Sequence, residues 1–214
     1  MAKELSARGF SVVVLEQGPS LGPQEFRHDE FKHWFQNAYL NRIETQPQTF
    51  KAGPDAVPQR QMSVLYHRLV GGGSVCFTAN YRRFWPLDFH EQSRIGPIAG
   101  TGFADWPITY EELEPYYTRA EWELGISGEP GPFDPPRSRP YPLPPLPVKS
   151  SGVLFDRGAR ALGLHPQPAQ MAILSAPYQG RVPCQQCGYC FGFPCEHLAK
   201  SSTSCTVLPI ALAT

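Results

Sequence analysis

The chain opens on "MAKELSARGF", in which the helix formers Ala2, Lys3, Glu4, Leu5 and Ala7 run up to Gly9. That pattern predicts a helix over residues 1–8, closed by a glycine suited to the left-handed conformation. Val12, Val13, Val14 and Leu15 follow as an unbroken apolar run of β-branched character, the pattern of a parallel strand covered on both faces. Gly18 and Pro19 stop it. In "EFRHDEFKHWFQNAYLNRI", Phe26, Phe31, Trp34, Phe35, Tyr39 and Ile43 recur at mixed spacings of three and four, which predicts a partly helical surface stretch.

The clearest helix start lies in "DWPITYEELEPYYTRAEWELGISG", where Thr109 is placed to cap and Glu112 to cap in return. Pro115 interrupts that first turn, so a second helix is expected to begin there and to run through Tyr117, Ala120 and Leu124 to Gly125. From Glu129 to Val148, "EPGPFDPPRSRPYPLPPLPV" is nearly half proline, which excludes a helix interior or a central strand and reads as a polyproline-II connector. Beyond it, Val153, Leu154, Ala161 and Leu162 suit one helical face ending at Gly163 and Pro166, and "AQMAIL" reads as a strand.

With 214 residues, 41% of them hydrophobic, the chain has enough apolar surface for a substantial core. Nineteen basic residues balance nineteen acidic ones, so nothing in the charge favours a nucleic acid or an anionic membrane as partner. No apolar run is long enough to cross a bilayer, and no signal is visible at the N-terminus. The 24 prolines and 19 glycines predict much irregular structure.

Three stretches can carry chemistry. Helix, strand and terminal acid are the second half of a dinucleotide-binding βαβ unit, in which Glu16 would accept hydrogen bonds from ribose hydroxyls; alternatively it is an ordinary acid at a strand end. In "HRLVGGGSV", Gly71, Gly72 and Gly73 followed by Ser74 let backbone N–H groups approach a phosphate or flavin, or else form a tight turn. In "CQQCGYCFGFPCEHLAKSST", Cys184, Cys187, Cys190 and Cys195 bring four thiols into a short stretch. Their spacing approaches that of ferredoxin-type iron-sulfur ligands, with one more residue in the last gap; a tetrahedral zinc site and disulfides are the alternatives. Cys76 and Cys205 read as small buried hydrophobes, and no histidine is assigned to catalysis. "PLPPLP", Pro142 to Pro147, with Arg139 nearby, has the spacing of an SH3 ligand, although proline-rich links between folded pieces are common.

Taken in order, "VVVLEQGP", "RLVGGGSV", "RFWPLDF" with "DWPITYEELEPYYTRAEWELGISG", and "CQQCGYCFGFPCEHLAKSSTSCTVLPIALA" resemble the glucose-methanol-choline (GMC) family of FAD-dependent oxidoreductases. The likeness is to its bacterial branch of gluconate-dehydrogenase-like large subunits and spans almost the whole chain. It implies an α/β fold, α+β in part, built as an incomplete Rossmann-like FAD-binding domain with irregular Pro/Gly-rich segments. On that reading residues 1–128 are a partial FAD-binding domain, 129–148 a connector, and 149–214 the remainder with the cysteine-rich segment. FAD would lie along Glu16, Arg68, Val70, Gly71, Gly72, Gly73, Ser74 and Asn80; Phe77 stands where many family members place an asparagine.

The implied reaction is oxidation of an alcohol or sugar CH–OH group by hydride transfer to the flavin, with an electron-acceptor subunit as partner. The family's glycine-rich phosphate loop would precede Met1 and its histidine base would follow Thr214. The chain is therefore expected to be an inactive, poorly soluble internal piece of such an enzyme. The alternative is a metal-binding module, iron-sulfur or zinc, organised by the four cysteines without flavin chemistry.

Overall fold

The structure is a computed structural model and describes residues 1–35, 39, 40, 44, 47–61 and 66–214. Its regular elements are α1 (Ala2–Ser6), β1 (Gln48–Phe50), β2 (Gln59–Gln61), α2 (Gly73–Cys76), α3 (Glu91–Ile95), α4 (Tyr110–Leu124), α5 (Ser150–Ala161) and α6 (Val207–Ala213). Short 3-10 turns cover Pro23–Glu25 and Pro86–Phe89, and a π-helical turn covers Phe31–Phe35. Mixed helix with a small sheet is compatible with the α/β class, the sheet found among the described residues being the antiparallel pair β1–β2. The chain divides into two units, residues 1–78 with 186–214, and residues 79–185.

In the first unit α1 packs on α6, and Phe26, Tyr39, Leu69, Val75 and Cys76 form a buried cluster. The helix expected over residues 1–8 is present, shorter, with Gly9 at φ +81° beyond it. The expected strand at Val12–Leu15 is not formed: Val13 is 81% and Leu15 92% exposed in irregular extended chain. A strand is held by its ladder, and among the described residues no segment pairs with this one. The aromatic stretch after it is partly helical as expected, yet Phe26 and Tyr39 are core rather than surface; residues 36–38 and 41–43, including Ile43, lie outside the described residues.

The second unit is organised by α4. Thr109 Oγ1 accepts the Glu112 N–H at 3.2 Å, the Glu112 carboxylate accepts the Thr109 N–H at 2.8 Å, and Gly125 closes the helix at φ +75°. Both ends match the sequence pattern, but Pro115 lies inside one continuous helix instead of starting a second. Proline removes one i→i−4 bond, and a single guanidinium compensates. Arg83 binds Tyr110 and Glu114 before the proline and Thr118 and Glu121 after it, clamping both turns.

Extended segments pack beside that helix. Met171 bridges Asn80 on one side and Ser127 on the other, and Ser127 also bridges Leu143. The expected strand "AQMAIL" is thus reduced to isolated bridges, although Ala172, Ile173 and Leu174 are buried. Residues 129–148 contain neither helix nor strand, as proline content requires. They lie against the unit rather than apart from it. The Pro136, Pro140 and Pro144 carbonyls accept hydrogen bonds from Tyr110, Trp122 and Ser175, and Leu143 of "PLPPLP" is buried. The helix expected after Ser150 is α5, with Gly163 at φ +73° past its end, but Leu154 and Leu162 on its apolar side face solvent.

The Glu114 carboxyl supplies a pH test. Burial alone would raise it from the usual 4.5, but hydrogen bonds from the Ser138 backbone, Thr118, Arg83 and the Ser138 hydroxyl hold it down at about 2. A carboxyl depressed on folding stabilises the fold above its unfolded pKa and loses that contribution as pH falls through the folded value. Acid titration of stability is therefore expected to show a loss between about pH 4.5 and 2, amounting to no more than about 3 kcal/mol, that Glu114→Gln removes. Parallel acid curves for wild type and variant would contradict it.

Candidate functional site

The first unit joins two of the stretches singled out by sequence. The Gly18 N–H donates to Glu16 Oε1 at 2.8 Å, turning the chain just after the apolar run. Gly18 then lies flat on the backbone that leads into the glycine run: a Cβ there would stand 2.3 Å from the Arg68 carbonyl carbon and 2.4 Å from the Leu69 nitrogen. The Val70 N–H donates to the Pro19 carbonyl at 2.9 Å, fixing the same contact. Only glycine permits this approach.

Past Val70 the three glycines stand in two different surroundings. Gly71, at φ +99°, has Val75 and Ser204 so close that a Cβ would collide at 2.7 and 3.0 Å. Gly72, at φ +56°, and Gly73 have nothing within 4 Å of where a Cβ would be, so their backbone borders open space. Ser74 does not contribute a free hydroxyl. Its Oγ donates to the Gly71 carbonyl at 2.7 Å and accepts the Thr203 N–H at 3.1 Å, tying α2 to the segment after the cysteines.

Lys200 completes that tie and is the residue that sequence reasoning missed. It is buried, and its Nζ donates to the carbonyls of Phe77, Cys190 and Phe193 at 2.8, 3.1 and 2.6 Å. The ammonium therefore holds the end of α2 to the cysteine-rich stretch using all three of its protons. Burial lowers its pKa, and the neighbouring thiols of Cys190, Cys76, Cys195 and Cys187 act in the opposite sense. The available signal was a lysine set among Ala199, Ser201 and Ser202, with no acid nearer than Glu196 to pair with it. Burial pushes the Cys76 thiol up to about 12, so it behaves as the small buried hydrophobe expected. Burial also lowers the pKa of His33 and of His67, whose rings stack at 6.1 Å.

The structure thus brings Glu16, Arg68, Val70 and Gly71–Ser74 together in one unit. Asn80 belongs to the second unit, where its backbone bridges Met171. Cys187, Cys190 and Cys195 belong to the first unit and Cys184 to the second, and no disulfide joins any of the six cysteines. Among the described residues no three His, Cys, Asp or Glu side chains are grouped to hold a metal ion. Glu196 Oε1 lies 3.7 Å from His28 Nδ1 and 3.6 Å from His197 Nε2. The exposed backbone of Gly72 and Gly73 and the Glu16 carboxylate belong to the same unit.

No family model matches the chain. It is 30% identical over 98% of its length to the gluconate 2-dehydrogenase flavoprotein of Pantoea cypripedii. Identity to the 2-methyl-1,2-propanediol dehydrogenase of Mycolicibacterium austroafricanum is 31% over 83% of the chain, and to the fructose dehydrogenase large subunit of Gluconobacter japonicus 28% over 88%. The chain spans 40%, 32% and 36% of the lengths of these relatives. Among the described residues no helix is long and apolar enough to cross a membrane. These similarities relate the chain to the flavoprotein oxidoreductases.

Proposed function

We propose that the chain is part of a GMC-type, FAD-dependent oxidoreductase that oxidises the CH–OH group of an alcohol or sugar. The observation that carries this reading is the seat of Gly18 on Arg68–Leu69, which places the Glu16 turn against the glycine run. FAD, when bound, supplies the acceptor for the hydride that leaves the substrate carbon. Glu16 would take the ribose hydroxyls, Arg68 and Val70 would border the cofactor, and the exposed backbone of Gly72 and Gly73 would face its pyrophosphate or flavin. Lys200, Ser74 and Thr203 act as positioning residues, since their bonds hold α2 and the loop before it in place. A partner subunit that receives the electrons belongs to the same proposal, supported by a relative named as a large subunit. A Rossmann-like FAD-binding domain belongs to the same proposal, as does Asn80 as a further cofactor contact.

Titration of FAD into the chain, followed by flavin fluorescence, tests it. Saturable binding is expected, and Glu16→Gln, which keeps an acceptor for the Gly18 N–H while removing the charge, is expected to weaken it roughly tenfold or more. Absence of saturable binding, or equal affinity in the variant, removes the reading.

A further inference from the structure

The second unit contains a cleft of about 820 Å³ that the flavin reading does not use. It lies between α5, the end of the proline-rich segment, residues 165–171, and the stretch holding Arg82 and Trp85. Its volume falls within the range of roughly 300–1,000 Å³ common to small-molecule sites. Four aromatic rings line it, those of Trp85, Phe133, Phe155 and His165, with Phe133 and His165 edge to face at 5.6 Å. Trp85, Phe133 and Phe155 are each more than half exposed, a concentration of uncovered aromatic surface around one concavity.

The polar groups narrow the occupant. Asp156 is already spent on Arg160, with both carboxylate oxygens at 2.9–3.0 Å from its Nε. The Asp134 carboxylate accepts from the Gly131 N–H and from the side chains of Gln167 and Gln170. Arg82 and Glu129 also line the cleft, and among the described residues neither has a hydrogen-bond or ion-pair partner. One uncommitted guanidinium and one uncommitted carboxylate, set among aromatic rings, call for a ligand with a flat apolar body, an anionic group and a hydrogen-bond donor. A planar guanidinium is matched by a carboxylate, and a carboxylate by a hydroxyl.

We infer that this cleft binds a hydroxylated aromatic carboxylic acid of about two fused rings, with its carboxylate on Arg82 and its hydroxyl on Glu129. The inference holds whether or not the chain binds flavin, because every residue invoked lies within residues 79–185.

Calorimetric titration of the full chain with 6-hydroxy-2-naphthoate tests it. One equivalent is expected to bind, with 2-naphthol, which lacks the carboxylate, about tenfold weaker or more. Arg82→Gln should bring the naphthoate down to the affinity of the naphthol and leave the naphthol unchanged. Glu129→Gln should weaken the naphthoate while leaving unhydroxylated 2-naphthoate unaffected. Arg82 and Glu129 are both exposed, so neither variant removes a core contact, and thermal unfolding confirms that each folds. No saturable heat, equal affinity for naphthoate and naphthol, or indifference to both substitutions overturns the assignment.

Discussion

Replacing Arg83 with methionine is expected to destabilise the second unit by about 3–5 kcal/mol, the usual cost of removing one partner from a buried ion pair. The guanidinium side chain is 2% exposed and Glu121 is 1% exposed, so the loss leaves a Glu121 carboxylate that water cannot reach. Arg83 meets Glu121 through Nε and Nη2, both at 2.8 Å, Glu114 at 2.8 Å, Thr118 at 2.9 Å and Tyr110 at 3.1 Å. Arg137 also reaches Glu121, at 3.2 Å through each terminal nitrogen, and softens the loss without replacing the fork. Arg83→Lys is expected to recover little, because one ammonium cannot span both carboxylates and the two hydroxyls in the same plane. Urea unfolding of the chain, monitored by the fluorescence of Trp122 on α4, measures this. A change below about 1 kcal/mol would show the network to be dispensable and leave the continuity of α4 through Pro115 without its explanation.

Gly18→Ala is the second large effect. The added methyl would meet the backbone of Arg68 and Leu69 at 2.3–2.4 Å, and backbone cannot rotate away as a side-chain end can. The Glu16 turn must then lift from the glycine run, at a cost near the upper end of overpacking, about 3 kcal/mol. Its expected signature is loss of FAD binding together with a lowered unfolding midpoint. Gly53→Ala is the control: nothing lies within 4 Å of its Cβ position, and its effect should stay within about 0.5 kcal/mol. An alanine at 18 that leaves both midpoint and FAD affinity unchanged would separate the two motifs and refute the site as described.

What could be read along the chain was what local chemistry governs. The ends of α4 follow from a capping box closed within four residues and a glycine that alone accepts φ +75° without strain. The stop of α5 before Gly163 and the lack of regular structure at 129–148 are local in the same way, one set by a left-handed glycine and the other by proline's missing N–H. The glycine run and Glu16 were legible as separate candidates because their residue types restrict what a backbone can do.

Contacts far apart in sequence decided the rest. Arg83 and Glu121 are 38 residues apart and Lys200 and Phe77 are 123 apart, so neither the clamp across Pro115 nor the lysine holding α2 has a local pattern to betray it. Val12–Leu15 carries the composition of a buried strand, but burial and a ladder require a neighbour, and none of the described segments takes that place. The four cysteines show the same limit: spacing places thiols near one another along the chain, while a ligand set needs sulfur atoms to converge in space, which spacing alone does not decide. Gly18 against Arg68 is the reverse case, in which two weak local signals come into contact because the tertiary fold lays one backbone directly upon the other.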